Sequence, residues 1–175
     1  RTLKRFLNFF ESGGQLCYII QMENKYINEQ IRGFLNDPDM IASLANISSV
    51  IMNGYNELNW AGFYFVKNGQ LVVGPFQGKP ACSPIPFTKG ICGKCYRDKT
   101  VQRIDDVLAI KDHIACDSAS RSELCVPVIV NDEVIMEIDL DSPVKNRFDR
   151  NFEKEMLEAA KDIASFYLQH HWQID

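Results

Sequence analysis

The stretch "HIACDSASRSE" holds one cysteine, Cys116, among small and charged residues. Free cysteine usually packs in protein cores, where it behaves as a small hydrophobic residue. Here Asp117 and Arg121 follow it and His113 precedes it by three positions, which predicts a wet loop with a reachable thiol whose pKa responds to nearby charge. His113 is predicted to order this loop; alternatively, it is a positive neighbour that lowers the pKa of Cys116. A thiol in this setting can act as a nucleophile.

A second group of thiols comes from the C-x-x-C pair Cys92 and Cys95. One interpretation is half of a zinc site, which Cys82 and Cys116 would complete. A second C-x-x-C or H-x-x-H pair is absent from the sequence, so the signal is weak. The other interpretation is a thioredoxin-like dithiol, although the βαβ pattern that accompanies such a dithiol is missing.

Carboxylates alternate along the predicted strand "EVIMEIDLD". Glu137, Asp139 and Asp141 share one face of this strand. The simpler interpretation is a solvated face; the other is a group of carboxylates that raise one another's pKa and serve acid catalysis or bind a cation. Glu123 begins the partner strand. A strict two-residue turn would pair it with Leu140 on the wrong face, so a bulge or a longer turn is needed to bring it to the aspartates.

Two aromatic residues, Trp60 and Tyr64, lie on one face of the predicted strand "NWAGFYFV". Residues of this kind commonly pack against a helix or in the core. They can equally form the wall of a pocket, because aromatic faces hold cationic or methylated groups.

The elements that must position these residues follow from periodicity and turn signals. Asn68-Gly69 and Asn131-Asp132 predict two β-hairpins. Asp37 before Pro38 is predicted to cap one long helix, and Asp149 another. The predicted elements are helices near 22–35, over 38–57, around 90–98 and from about 149, a short strand at 101–104, and a loop over 105–120. This order indicates an α+β fold with a central antiparallel sheet flanked by helices.

Composition sets limits on the class of protein. The chain has 175 residues and a formal net charge of −4, so no basic surface argues for nucleic acid or an anionic membrane as a partner. No apolar run approaches the roughly 20 residues that span a bilayer, and the basic, apolar opening does not match a signal peptide. Six cysteines would allow three disulfides, but nothing indicates secretion, which favours a reducing, cytoplasmic compartment. Cys17 and Cys125 lie in apolar runs and are predicted to be packing residues.

The predicted domain organisation is one domain with two short flanking segments. Residues 1–36 are a partly helical N-terminal extension, residues 37–170 are the catalytic domain, and residues 171–175 are a tail.

Five motifs in this order, "NWAGFY", "GPFQGKPAC", "IPFTKGICG", "HIACDSASRSE" and "IDLDSP", resemble the free methionine-(R)-sulfoxide reductases. That family is built on a GAF domain. The resemblance implies thioredoxin-dependent reduction of free L-methionine-(R)-S-oxide to methionine in the cytoplasm, with no cofactor and no metal, by a homodimer.

The resemblance also assigns roles to individual residues. It implies that Cys116 attacks the substrate, that Cys82 resolves the resulting intermediate and that Cys92 assists. The pocket residues it implies are Trp60, Tyr64, Glu123, Asp139 and Asp141, with the three carboxylates also serving catalysis. The chemistry agrees, since sulfoxide reduction needs a thiolate, an acid to protonate the departing oxygen, and a second thiol that converts the sulfenic acid to a disulfide.

The chain departs from the resembled pattern at two places. Cys95 stands where a small residue is usual, which allows a competing disulfide, and Met136-Glu137 replaces a pair that contains glycine. Two other functions remain open from the sequence: a GAF sensor that signals by cysteine oxidation, and a zinc-binding structural module.

Overall fold

The fold is a six-stranded antiparallel sheet with helices on both faces. The computed structural model describes residues 26–111, 114 and 116–174. The strand order across the sheet is β3-β2-β1-β6-β5-β4. The strands are β1 (Trp60–Lys67), β2 (Gln70–Gly78), β3 (Ile85–Pro86), β4 (Gln102–Ile104), β5 (Ser122–Val130) and β6 (Glu133–Ser142). The helices are α1 (Ile27–Phe34), α2 (Met40–Gly54), α3 (Gly90–Asp98) and α4 (Arg150–Gln169).

Both predicted hairpins are confirmed. β1 and β2 pair around Asn68-Gly69, and β5 and β6 pair around Asn131-Asp132. All four turn residues have positive φ, between 50° and 75°. This is the conformation of the tight turns that match strand twist, and Asn, Asp and Gly adopt it most readily.

The alternation of side chains along β1 divides the molecule into two cores. Ala61, Phe63 and Phe65 face the main core, where α1, α2 and α4 pack on the sheet. Trp60 and Tyr64 face the opposite side, where α3 and the loops cover a smaller core. The predicted α+β arrangement is confirmed, and the chemically interesting residues of β1 lie on the face of α3.

The helices α3 and α4 begin where the sequence predicts, and the Asp149 side chain caps α4 by accepting from the Phe152 backbone N–H at 2.8 Å. The prediction for the start of α2 is wrong. Asp39 caps this helix through the Ala42 N–H, whereas the Asp37 carboxylate accepts from Asp39 N within the preceding turn. An Asp one residue before a proline thus closes a turn here, and the next Asp is the cap.

The bulge that Glu123 requires is present in the second hairpin. The register shifts between Val128 and Ile129, so that Ile135 has no opposite residue and Glu123 pairs with Asp141. The extra residue turns Glu123 to the face of the aspartates. No helix within the described residues is long and apolar enough to cross a membrane.

Candidate active site

A pocket opens on the face of the sheet that α3 covers. The strands supply its floor and one wall, α3 supplies a second wall, and the loop with Cys116 lies at its edge. The sheet register places Trp60 opposite Asp141 and Gly62 opposite Asp139 across β1 and β6. Nearly all the residues that the resemblance singled out line this pocket: Trp60, Tyr64, Cys92, Cys116, Glu123, Asp139 and Asp141.

The carboxylates of the pocket are withdrawn from solvent. Glu123 and Asp139 are each 5% exposed and Glu137 is fully buried, so a solvated face is the wrong interpretation of this strand. Burial raises the pKa of Asp139 well above its usual value, and the charges of Glu123 and Asp141 add to the shift. Burial and the charge of Asp141 do the same to the pKa of Glu123. Burial therefore favours the protonated form of both groups, which suits a proton donor inside the pocket.

The Cys116 thiol is half-buried and lies in hydrogen-bond contact with Cys82. Burial raises the pKa of Cys116 to about 12, and the contact with the Cys82 thiol contributes in the same direction. The sequence predicted a solvent-exposed loop, but at Cys116 the loop is only partly exposed to solvent. His113, the predicted neighbour of the thiol, lies outside the described residues, as does Cys17.

Trp60 and Tyr64 wall the pocket and also hold the loop that carries Cys82. Their rings stack with centroids 5.8 Å apart. The Tyr64 hydroxyl donates to the Cys82 carbonyl at 2.9 Å, and the Trp60 indole N–H donates to the Lys79 carbonyl at 3.1 Å. The two aromatic residues therefore fix the backbone beside the second thiol, a role that strand alternation does not indicate.

A polar bridge joins the two cysteine loops, and sequence reasoning missed it. The Lys79 ammonium group donates to the Asp117 carboxylate at 3.2 Å, and the Asn59 amide donates to the same carboxylate at 3.1 Å. Asp117 is adjacent to Cys116 and Lys79 lies three residues before Cys82. The one feature of the sequence that could have indicated this bridge is the position of Asn59 directly before β1 and of Lys79 directly after β2.

The remaining thiols of the described residues, Cys92, Cys95 and Cys125, form a buried cluster that adjoins the pocket. Cys125 donates to the Glu137 carboxylate at 3.2 Å and contacts both Cys92 and Cys95. Cys125 is buried as predicted, but its thiol is hydrogen-bonded rather than merely packed. The ligand atoms of Cys92, Cys125 and Glu137 lie within 4.8 Å of one another. Among the described residues, neither Cys82 nor Cys116 belongs to a group with metal-ligand spacing, so the predicted zinc partners of the C-x-x-C pair are wrong.

Cys92 belongs to both the pocket and the buried cluster. Its thiol donates to Glu123 at 3.8 Å on the pocket side and contacts Cys125 on the other. The contact with Cys125 opposes the shift, but burial and the nearby Asp139 and Glu123 leave the pKa of Cys92 well above its usual value.

Taken together, the pocket combines four chemical parts. It has a thiol at its edge, a second thiol in contact with the first, buried carboxyl groups with raised pKa values, and an aromatic wall. Such a site can reduce a small oxidised molecule by two thiols, with a carboxyl group as the proton donor. The carboxylates can also bind a cationic group of that molecule.

Comparisons with known proteins agree with this architecture. The GAF domain family matches residues 32–167. The chain is 49% identical to Protein YtsP of Bacillus subtilis over 130 residues, which cover 73% of this chain and 80% of the relative. It is 45% identical to the free methionine-R-sulfoxide reductase of Escherichia coli over 112 residues, covering 64% of this chain and 68% of that protein.

A solved structure extends the comparison to three dimensions. The chain superposes on the free methionine-R-sulfoxide reductase of Neisseria meningitidis, solved in complex with its substrate, with a TM-score of 0.81. The two are 34% identical, and the match covers 85% of this chain and 90% of the other.

Proposed function

Because the chain belongs to the free methionine-R-sulfoxide reductases, a family built on the GAF domain, we propose that it reduces free L-methionine-(R)-sulfoxide to methionine. One observation carries the proposal. The Cys116 thiol contacts a second thiol, Cys82, at the edge of a pocket that contains the buried acid Asp139. A binding module needs no such pair of thiols beside a proton donor.

In the proposed first step, the Cys116 sulfur attacks the sulfoxide sulfur while a buried carboxyl group, Asp139 or Glu123, protonates the sulfoxide oxygen. The hydroxyl group passes to Cys116, which becomes a sulfenic acid, and methionine is released. The proton of the Cys116 thiol returns the carboxyl group to its protonated form. The raised pKa values of Cys116 and Asp139 suit this exchange, because both favour the protonated form of the group.

In the second step, the Cys82 thiol attacks the Cys116 sulfenic acid. A disulfide forms and water leaves, so the sulfoxide oxygen ends in water and the two thiols are oxidised. An external dithiol, for which we propose thioredoxin, reduces the disulfide and restores the protein. Contact between Cys116 and Cys82 favours this pair over Cys92 or Cys95, whose partners are Cys125 and carboxylates.

We assign recognition of the free amino acid to the carboxylates and the aromatic wall. Asp141 and whichever of Glu123 and Asp139 does not donate the proton would bind the substrate ammonium group, whose charge favours their ionised form. Trp60 and Tyr64 would contact the S-methyl group. A methionine sulfoxide within a peptide has no ammonium group at this position, so the same carboxylates would exclude it.

The test is turnover on both sulfoxide epimers. The purified chain is incubated with thioredoxin, thioredoxin reductase, NADPH and either epimer of free methionine sulfoxide, and methionine is measured by chromatography. We expect catalytic conversion of the (R) epimer only. Thiol oxidation without catalytic formation of methionine would overturn the proposal and favour a redox sensor.

A further inference from the structure

The buried cluster that adjoins the pocket brings together four side chains that bind transition metals. The cluster consists of Cys92, Cys95, Cys125 and Glu137. Cys95 and Cys125 are fully buried, as is Glu137, and Cys92 is 5% exposed. The disulfide chemistry proposed above uses none of Cys95, Cys125 or Glu137.

Three separate elements deliver these side chains to one point. Cys92 and Cys95 are three residues apart on α3, which places both on the same side of the helix. Cys125 of β5 pairs with Asp139 of β6, so Glu137 is its diagonal neighbour on the same face of the sheet. Helix α3 packs on these two strands, and its thiols close over Cys125 and Glu137.

Three of the four groups already have the spacing of metal ligands. The ligand atoms of Cys92, Cys125 and Glu137 all lie within 4.8 Å of one another, and the Cys125 sulfur is 3.2 Å from the nearer Glu137 oxygen. Cys95 lies outside this group of three, but its thiol interacts with both Cys125 and Glu137, which makes it the candidate for the fourth ligand. Sulfur ligands around zinc stand roughly 3.8 Å apart, given a zinc–sulfur bond of about 2.3 Å. Side-chain rotations, that of Cys95 above all, would bring the four ligand atoms to this spacing.

The Glu137 carboxyl group supplies an independent observation. Its Oε1 atom is buried and has no hydrogen-bond partner. Its other oxygen is contacted by a thiol, which is a weak donor. Burying a carboxyl group with one oxygen unpaired costs free energy that such weak donors do not offset. A bound cation would remove this deficit. In addition, Glu137 and Cys95 are among the buried positions at which the sequence departs from the pattern it resembles.

We propose that Cys92, Cys95, Cys125 and Glu137 form a binding site for a thiophilic divalent ion, with zinc as the best match. Three sulfur ligands and one carboxylate select zinc over magnesium or calcium, which prefer oxygen ligands. Binding releases the protons of the ligands as the thiolates and the carboxylate coordinate the ion. With all four positions filled by side chains, the site is structural and ties α3 to the sheet.

The first experiment measures metal in the full chain without any mutation. Protein purified under reducing conditions without chelator is equilibrated with zinc, dialysed and analysed by mass spectrometry for metal and by absorbance for protein. We expect about one zinc per chain. Replacement by cobalt(II) should give the intense visible bands of a tetrahedral thiolate site, whereas weak octahedral bands or a stoichiometry near zero would overturn the proposal.

The second experiment locates the ion. Cys95→Ala, Cys125→Val and Glu137→Val should each lose stoichiometric zinc or weaken its binding at least tenfold. Cys82→Ser and Cys116→Ser are the matched controls, and both should retain the ion. Zinc lost only in the controls would place the metal in the pocket and contradict the assignment. Circular dichroism shows which variants are folded. If a cluster variant is not folded, the cobalt spectrum of the unmutated protein decides.

Discussion

At the scale of single residues, the proposed mechanism gives Cys116 and Cys82 different tasks. The two thiols contact each other, but of the two Cys116 is the one that lines the pocket with the buried acids. Its pKa, raised to about 12 by burial, keeps it protonated until a substrate arrives. In the proposed mechanism, this thiol proton is the one that returns the carboxyl group to its protonated form.

Replacing Cys116 by serine should abolish turnover, because a hydroxyl group is a poor nucleophile toward sulfur. The measurement is methionine formed per chain, with and without the thioredoxin system. Less than one equivalent is expected under both conditions. Catalytic turnover by this variant would show that another cysteine attacks first.

Replacing Cys82 by serine should have a different effect. The variant should form about one equivalent of methionine and then stall with thioredoxin, because the Cys116 sulfenic acid lacks the thiol in contact with it. A burst measurement by rapid quench tests this. Sustained wild-type cycling would transfer the resolving role to Cys92 or Cys95.

Asp139→Asn and Asp141→Asn should each lower kcat/KM by about two orders of magnitude or more. This magnitude is typical of losing a positioned acid or a charge-paired contact. Asp162→Asn is the matched control, since Asp162 belongs to α4 on the other face of the sheet and pairs with Arg32. Near-wild-type kinetics for both pocket variants would show that neither aspartate contributes to catalysis or substrate binding.

At the scale of elements, the pocket depends on the close approach of β1 to β2. Gly62 stands between Trp60 and Tyr64 and opposite Asp139. A Cβ atom there would overlap Phe76 and come within 2.7 Å of the Trp60 ring. The glycine therefore allows Trp60 and Phe76 to stack, with centroids 5.3 Å apart.

Gly62→Ala should consequently lower both kcat/KM and the free energy of unfolding, the latter by about 1–3 kcal/mol, as overpacked sites do. Gly33→Ala is the control, because nothing lies within 4 Å of the added atom in helix α1. It should stabilise the protein by roughly 0.5–1 kcal/mol. Urea unfolding curves measure both changes, and an equal response of the two variants would contradict the role of Gly62.

The elements themselves were largely predictable from the sequence, whereas their fine placement was not. Asn68-Gly69 and Asn131-Asp132 identify the hairpins because few residues tolerate positive φ. The choice between Asp37 and Asp39 as the cap of α2 depends on a local turn that both residues can form. The bulge near Val128 is required by Glu123, but the sequence alone does not give its position.

At the scale of the whole molecule, the sheet has the larger hydrophobic core on one face and the candidate active site on the other. Helices α1, α2 and α4 cover the larger core on one face, and the cysteines with their carboxylates occupy the other. Period-two alternation predicted which residues share a face. It did not predict that β1 lies beside β6, nor that Lys79 reaches Asp117 across 38 residues. Contacts of that kind depend on the tertiary arrangement of loops.

We propose that the pocket selects a free amino acid by its ammonium group, and N-acetylation of the substrate tests this selection. Acetylation removes the charge and leaves the sulfoxide intact. A polar site that loses its partner can reject an analogue by roughly 10⁴-fold. The measurement is the initial rate of NADPH oxidation with thioredoxin and thioredoxin reductase, for free methionine-(R)-sulfoxide and for its N-acetyl derivative. We predict rapid reduction of the free amino acid and little reduction of the acetylated one; comparable rates on the two would contradict selection through the carboxylates.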